Sequence, residues 1–244
     1  MLTGASQKTP LHSRAVVNLK HIRLAKHFLD ASHKPKDHWY KVKIGTLPII
    51  LVASHAAELE RGFADRGTGP LVRLLHKLTG TTIIYTCGSP PCDPNREKNN
   101  AFQQTLGELI DKINPKLVID CHQAHPCRPF DVDFGTQNGR TCPTFILRKL
   151  TKSLQREGLR NFSQDYFPAK KRFTITQLCF EKKVCALQLE INSNWLTLDC
   201  DDMYTQRFAQ LTQGLVSFLT ASPGFCHRFS SFLVKHHDSA KKQA

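Results

Sequence analysis

None of the nine cysteines stands in a Cys-x-x-Cys pair, and their number is odd. A disulfide framework is therefore not expected. Cys121, Cys179 and Cys185 lie in apolar segments, where a free thiol acts as a small hydrophobe, so a reducing, cytoplasmic setting is expected. Long apolar runs are also missing. No stretch approaches the roughly 18 residues of a membrane span, and the N-terminus has no apolar signal core. Acid is absent from Met1 to Leu29, which carries Lys8, Arg14, Lys20, Arg23 and Lys26. That segment reads as a basic surface helix or a loose arm rather than a transit peptide. There is no aromatic-rich RNA-binding signature, no zinc finger and no glycine-rich phosphate loop. The net charge of +14 is thus assigned to a solvated basic surface or a site for anionic small molecules, and nucleic acid is not an expected partner.

What is present is a regular α/β pattern. Residues 1–40 read as a basic N-terminal extension with partial helical periodicity from Ala15 to Leu29, broken by Lys34-Pro35-Lys36-Asp37. Residues 41–222 read as one α/β domain, and 223–244 as a basic tail. Leu47 to Ala53 is a buried strand. Gly69-Pro70 opens a helix striped by Leu71, Leu74, Leu75 and Leu78. Thr81 to Thr86 is strand-like, and Asn99 to Ile113 helical, with Phe102, Leu106, Leu109, Ile110 and Ile113 on one face. Lys116 to Cys121 and Asp131 to Gly135 read as strands, and Pro143 to Glu157 as a helix. Phe173 to Phe180 and Val184 to Ile191 read as two strands joined by Glu181-Lys182-Lys183. Asp202 to Thr220 is the last helix. Alternating strands and helices predict an α/β three-layer sandwich, with a central mixed, largely parallel sheet flanked by helices.

In such sheets functional residues gather beyond the carboxyl ends of the strands. His55 and Glu58 follow the first strand. By chance alone, 12 histidines and seven glutamates give about 0.34 His-x-x-Glu pairs per chain, so this motif is weak by itself. His122, in VIDCHQAHP, follows another strand. With His55 and Glu58 it completes a His₂Glu set, a zinc arrangement that leaves one position open. Asp120 could orient a ligand. His125, beside Pro126, is a further candidate facing substrate or solvent. A solvated rim histidine explains His122 taken alone equally well. Glu190, in CALQLEIN, could take a proton from activated water and return it to a leaving amine; the polar face of an alternating strand accounts for it too. Arg96 and Arg128 are loop arginines whose guanidinium forks suit a carboxylate.

Taken in order, His-x-x-Glu, Asp-x-Asn-Arg, Asp-x-His and a strand glutamate resemble the zinc carboxypeptidase and aspartoacylase group of hydrolases. The N-formylglutamate amidohydrolase family is the closer likeness. IDCHQAHPCRPFDVDFGTQNGRTC resembles its block of Asp-x-His, Arg-Pro, strand, glycine and Gly-x-x-Cys, and ALQLEIN resembles its late strand. The likeness spans roughly residues 44–219. It implies a zinc carboxypeptidase-like fold, zinc on His55, Glu58 and His122, and Glu190 as general base and acid. Asn95 and Arg96 would bind the substrate carboxylate, with Arg128 as the Arg-Pro arginine. The implied activity is zinc-dependent cleavage of the amide in an N-acyl amino acid such as N-formylglutamate, an anionic small molecule. A carboxypeptidase-like peptidase and a non-catalytic basic binding protein are the alternatives. Ala56-Ala57 replaces the family's Ser-Gly, and Ser193-Asn194-Trp195 its arginine and tyrosine. The glycine pair expected near Phe173 to Lys183 is absent, and the first 40 residues have no counterpart.

Overall fold

The computed structural model describes residues 17–32, 38–58, 64–198 and 201–221. The expected tail at 223–244, the first 16 residues and Lys34-Pro35-Lys36-Asp37 lie outside them. In chain order the elements are α1 (Leu19–Ser32), β1 (Tyr40–Lys43), β2 (Leu47–Ala53), α2 (Thr68–Thr79), β3 (Thr81–Thr86), α3 (Ala101–Ile113), β4 (Leu117–Ala124), β5 (Val132–Gly135), α4 (Thr144–Arg156), β6 (Phe162–Gln164), α5 (Ile175–Glu181), β7 (Ala186–Asn192) and α6 (Asp202–Thr220). The seven strands form one sheet in the order β1-β3-β2-β4-β7-β5-β6.

β3, β2, β4 and β7 are mutually parallel, β1 joins antiparallel at one edge, and β5 runs antiparallel to β7. The sheet is therefore mixed and largely parallel, as expected. Alternating side chains serve two cores. Leu51, Ile83, Ile119 and Leu187 face α1, α2, α4 and α6, whereas Val52, Ile84, Val118 and Ala186 face α3 and α5. This is the three-layer sandwich, and the period of two along each strand separates its layers.

Local chemistry sets the element ends. α2 stops at Gly80, whose φ of 71° is left-handed and whose N–H bonds the His76 carbonyl. Asn100 caps α3 by accepting from the Gln103 N–H at 2.9 Å, and Asp201 caps α6 through Met203 and Tyr204. Each such cap is worth about 1 kcal/mol.

The strand expected at Phe173 to Phe180 is corrected: α5 occupies most of it. FTITQLCF alternates like a strand, but the Thr174 side chain accepts from the Gln177 N–H and starts a helix. Ile175 and Cys179 then fall one turn apart on the core of α3. α1 begins and ends a few residues later than its periodicity predicts. Ile22, Ala25 and Leu29 are buried in the larger core cluster, so this part of the expected extension packs on α2.

Strand order positions the site. From β2 the chain winds to β3 on one side, then returns to β4 on the other. The crevice between the carboxyl ends of β2 and β4 is thus a topological switch point.

Candidate metal centre and its cavity

On β4 and β7 the register pairs Val118 with Ala186, Asp120 with Gln188 and His122 with Glu190. All six share the face toward α3 and α5. Toward the carboxyl end this face changes from apolar to ionisable, which aims His122 and Glu190 into the crevice. The His122 Nε2 lies 2.8 Å from the Asp120 Oδ2. Asp120 itself is buried, with the Ser54 hydroxyl donating to its other oxygen at 3.5 Å.

His55 enters from the turn beyond β2. Its Nε2 lies 2.8 Å from the Asp93 Oδ1, an oxygen that also accepts the Asn95 N–H at 2.9 Å. Each histidine thus has one ring nitrogen backed by a carboxylate. The Nδ1 atoms point toward Asp65, whose Oδ2 lies 3.2 Å from His122 and 3.7 Å from His55. Asp65 is held in place because its N–H donates to the His55 carbonyl and its own carbonyl accepts the Thr68 hydroxyl at the start of α2.

These three donor atoms fit a metal ion. Donors at 2.0–2.1 Å around a tetrahedral zinc stand roughly 3.3 Å apart, close to the Asp65 separations. Among the described residues His55, Asp65 and His122 form the metal-capable cluster. A tautomer that donates Nε2–H to each backing carboxylate would leave the Nδ1 lone pairs for a metal. The charge balance points the same way. Asp65, Asp93, Asp120 and Glu190 surround two imidazoles, leaving negative charge for a cation to offset.

The same field perturbs the side chains. Burial disfavours a charged His122 ring, yet the charge and hydrogen bond of Asp120, the hydrogen bond of Asp65 and the charge of Glu190 raise its pKa well above the usual range. Burial raises the Glu190 carboxyl; the His122 charge opposes this and the Asp65 charge adds to it. For Asp93 burial acts upward, but the hydrogen bond and charge of His55, the Asn95 N–H and the Arg96 charge hold it below the usual range.

A cavity of about 480 Å³ opens over this cluster, within the size range of small-molecule sites. His55, Asp65, His122, Gln188 and Glu190 line its floor, and Asn95 and Arg96 one side. The loop from Phe167 to Thr174 also lines it, and the Asn95 Oδ1 accepts the Ile175 N–H at 2.9 Å where the two segments meet.

Of the residues singled out from sequence, His55, His122, Glu190, Asn95 and Arg96 converge on this cavity. Glu58 is solvent-exposed and outside the cluster, and Asp65 supplies the carboxylate beside the histidines. Sequence reasoning missed Asp65 because FADRGTGP has no metal-site spacing; its one signal is an acid just ahead of a helix that follows a ligand-bearing strand. Arg128 is exposed and is not itself among the residues lining the cavity. Its guanidinium lies over the Tyr166 and Phe167 rings, and its Nη1 donates to the Tyr166 hydroxyl at 3.2 Å. His125 is exposed and accepts from the Cys127 N–H at 3.3 Å.

No protein-family model and no curated protein matches the sequence. Solved structures do share the fold. An N-formylglutamate amidohydrolase from Ralstonia eutropha aligns with a TM-score of 0.54 at 14% identity, over 75% of this chain and 99% of its own. A gene product of Agrobacterium tumefaciens aligns at 0.50 and 13% identity, over 90% of this chain and 99% of its own. At such identities the likeness is one of fold. No described helix is long and apolar enough to cross a membrane.

Proposed function

We propose that this chain is a zinc-dependent amidohydrolase that cleaves an N-acyl amino acid of the N-formylglutamate type in a cytoplasmic setting. One observation carries the reading: two imidazole Nδ1 atoms and the Asp65 carboxylate converge beside the half-buried Glu190, inside a cavity of small-molecule size. His55, Asp65 and His122 would hold the ion, with Asp93 and Asp120 orienting the rings. Zinc bound there supplies Lewis-acid polarisation of the scissile carbonyl and activates water for attack.

The chain's own groups do the rest. Glu190 takes the proton from the attacking water and returns it to the leaving amine. Burial raises its pKa, which brings it closer to the neutral range where one group can both accept and donate a proton. Gln188 donates its Nε2–H to the Glu190 Oε1 at 2.6 Å, fixing the carboxylate and leaving Oε2 for the proton. The fold shared with an N-formylglutamate amidohydrolase is consistent with this chemistry. A cavity of about 480 Å³ suits one acylated amino acid better than an extended peptide, which favours an amidohydrolase over a peptidase.

Elemental analysis of the purified protein, paired with an N-formylglutamate hydrolysis assay before and after chelation, tests the proposal. Stoichiometric zinc and turnover lost on chelation are expected. A metal-free protein, or turnover indifferent to chelation, would overturn it.

A further inference from the structure

The loop between β6 and α5 is unusually well tied for a connection on the surface. The Tyr166 and Phe167 N–H groups donate to the Asp133 carboxylate at 3.1 and 2.9 Å, and the Gln137 N–H donates to the Pro168 carbonyl at 3.0 Å. Ala169 has a φ of 51°, a left-handed conformation that a residue with a Cβ adopts only at a cost. Its carbonyl accepts from the Thr174 hydroxyl at 3.0 Å, the Gln137 Nε2 at 3.1 Å and the Thr176 hydroxyl at 3.4 Å. Two residues on, the Lys171 carbonyl accepts the Thr174 hydroxyl at 3.2 Å. The backbone on both sides of Lys170 and Lys171 is therefore fixed, and both residues line the cavity.

Neither lysine forms an ion pair with another described residue. Arg96 differs. Its Nε lies 3.3 Å from the Asp93 Oδ2, and Asp93 also backs His55, so part of its charge is engaged with the floor. We infer that the carboxylate of an anionic ligand is held by Lys170 and Lys171, and that Arg96 acts chiefly as a positioning partner of Asp93. This rests on reading the cavity as a substrate site, and it relocates the carboxylate anchor from the arginine to the neighbouring loop. Two adjacent cations on a fixed loop, facing a cavity with an acidic floor, select a ligand that carries its negative charge on the side away from the reacting bond.

Calorimetric binding of glutarate, a simple dicarboxylate, tests this without relying on turnover. Relative to wild type and to the surface control Lys112→Met, the Lys170→Met/Lys171→Met protein should bind about tenfold more weakly or worse, the loss expected for charge-assisted hydrogen bonds. Lys170→Arg/Lys171→Arg should retain binding, and Arg96→Met should lose less than about threefold, as for an exposed ion pair. If the double methionine protein fails to melt cooperatively, each single methionine variant gives a partial loss instead. Wild-type binding by the double variant, a tenfold loss in Arg96→Met, or no binding by the wild type overturns the inference. Failure of the amidohydrolase reading would be seen separately, in zinc content and hydrolysis.

Discussion

On the floor of the cavity the His122 side chain is 5% exposed and meets Asp120, Asp65 and Asn95, whereas at its edge the Arg96 side chain is 62% exposed and pairs with Asp93. The floor residues sit on strands, on the turn after β2 or just before α2, and His55, Asp65 and His122 are each held by a neighbour from another element. The cations stand on loops in contact with water. Groups that must meet an ion within tenths of an ångström need rigid supports, because a small misplacement costs much of the catalytic effect. Groups that recognise charge act over longer range and tolerate exposure, although solvent weakens each one. In the proposed mechanism, chemistry and selection fall to different parts of the architecture.

The sharpest break of this comparison removes a floor ligand. His55→Ala, Asp65→Ala and His122→Ala should each bring bound zinc close to zero by elemental analysis, while Glu58→Ala and His125→Ala retain it. Full zinc in Asp65→Ala together with loss in Glu58→Ala would restore the His-x-x-Glu ligand set. Next in size is Glu190→Gln, which preserves shape but cannot carry a proton. Its kcat should fall by about 10²–10⁴ with zinc retained; an unchanged kcat would leave Glu190 as a strand residue.

One step out from the ion, Asp93→Asn and Asp120→Asn should weaken zinc binding by about 10–100-fold, the usual effect of removing a carboxylate that orients a ligating histidine. Competition against a chromogenic chelator measures it, and wild-type affinity in both variants would mean that the rings need no backing. The smallest effect belongs to the exterior. Arg128→Ala should cost about 0.5–1 kcal/mol in urea unfolding, the value of an exposed cation–π contact, with zinc content unchanged. A loss of zinc there would tie Arg128 to the floor.

Much of this was legible in the amino acids. The strand at Leu47 to Ala53, the strand at Thr81 to Thr86 and the helix at Asp202 to Thr220 were each expected with the bounds observed. Their patterns are unambiguous: buried β-branched runs on one side, an Asp cap with helical apolar spacing on the other. Asp-x-His and the strand glutamate were equally readable, because residues two apart on a strand share a face whatever surrounds them. FTITQLCF was misread because β-branched alternation and a Thr-capped helical turn compete closely in eight residues, and contact with α3 settled the outcome.

Which carboxylate joins the two histidines lay beyond any local rule. Glu58 and Asp65 both follow His55 in an acidic and polar stretch, and spacing favours Glu58. Only the packed fold brings Asp65 back to the histidines, through its hydrogen bond to the His55 carbonyl and its place just before α2. The same holds for Lys170 and Lys171, which in sequence are part of a surface charge cluster and in space form a cavity wall. The amino-acid order determines which groups alternate, cap and turn, since those depend on neighbours a few bonds away. Which distant groups meet depends on strand order and on how the loops are tied back to the sheet, and these exist only once the layers have packed.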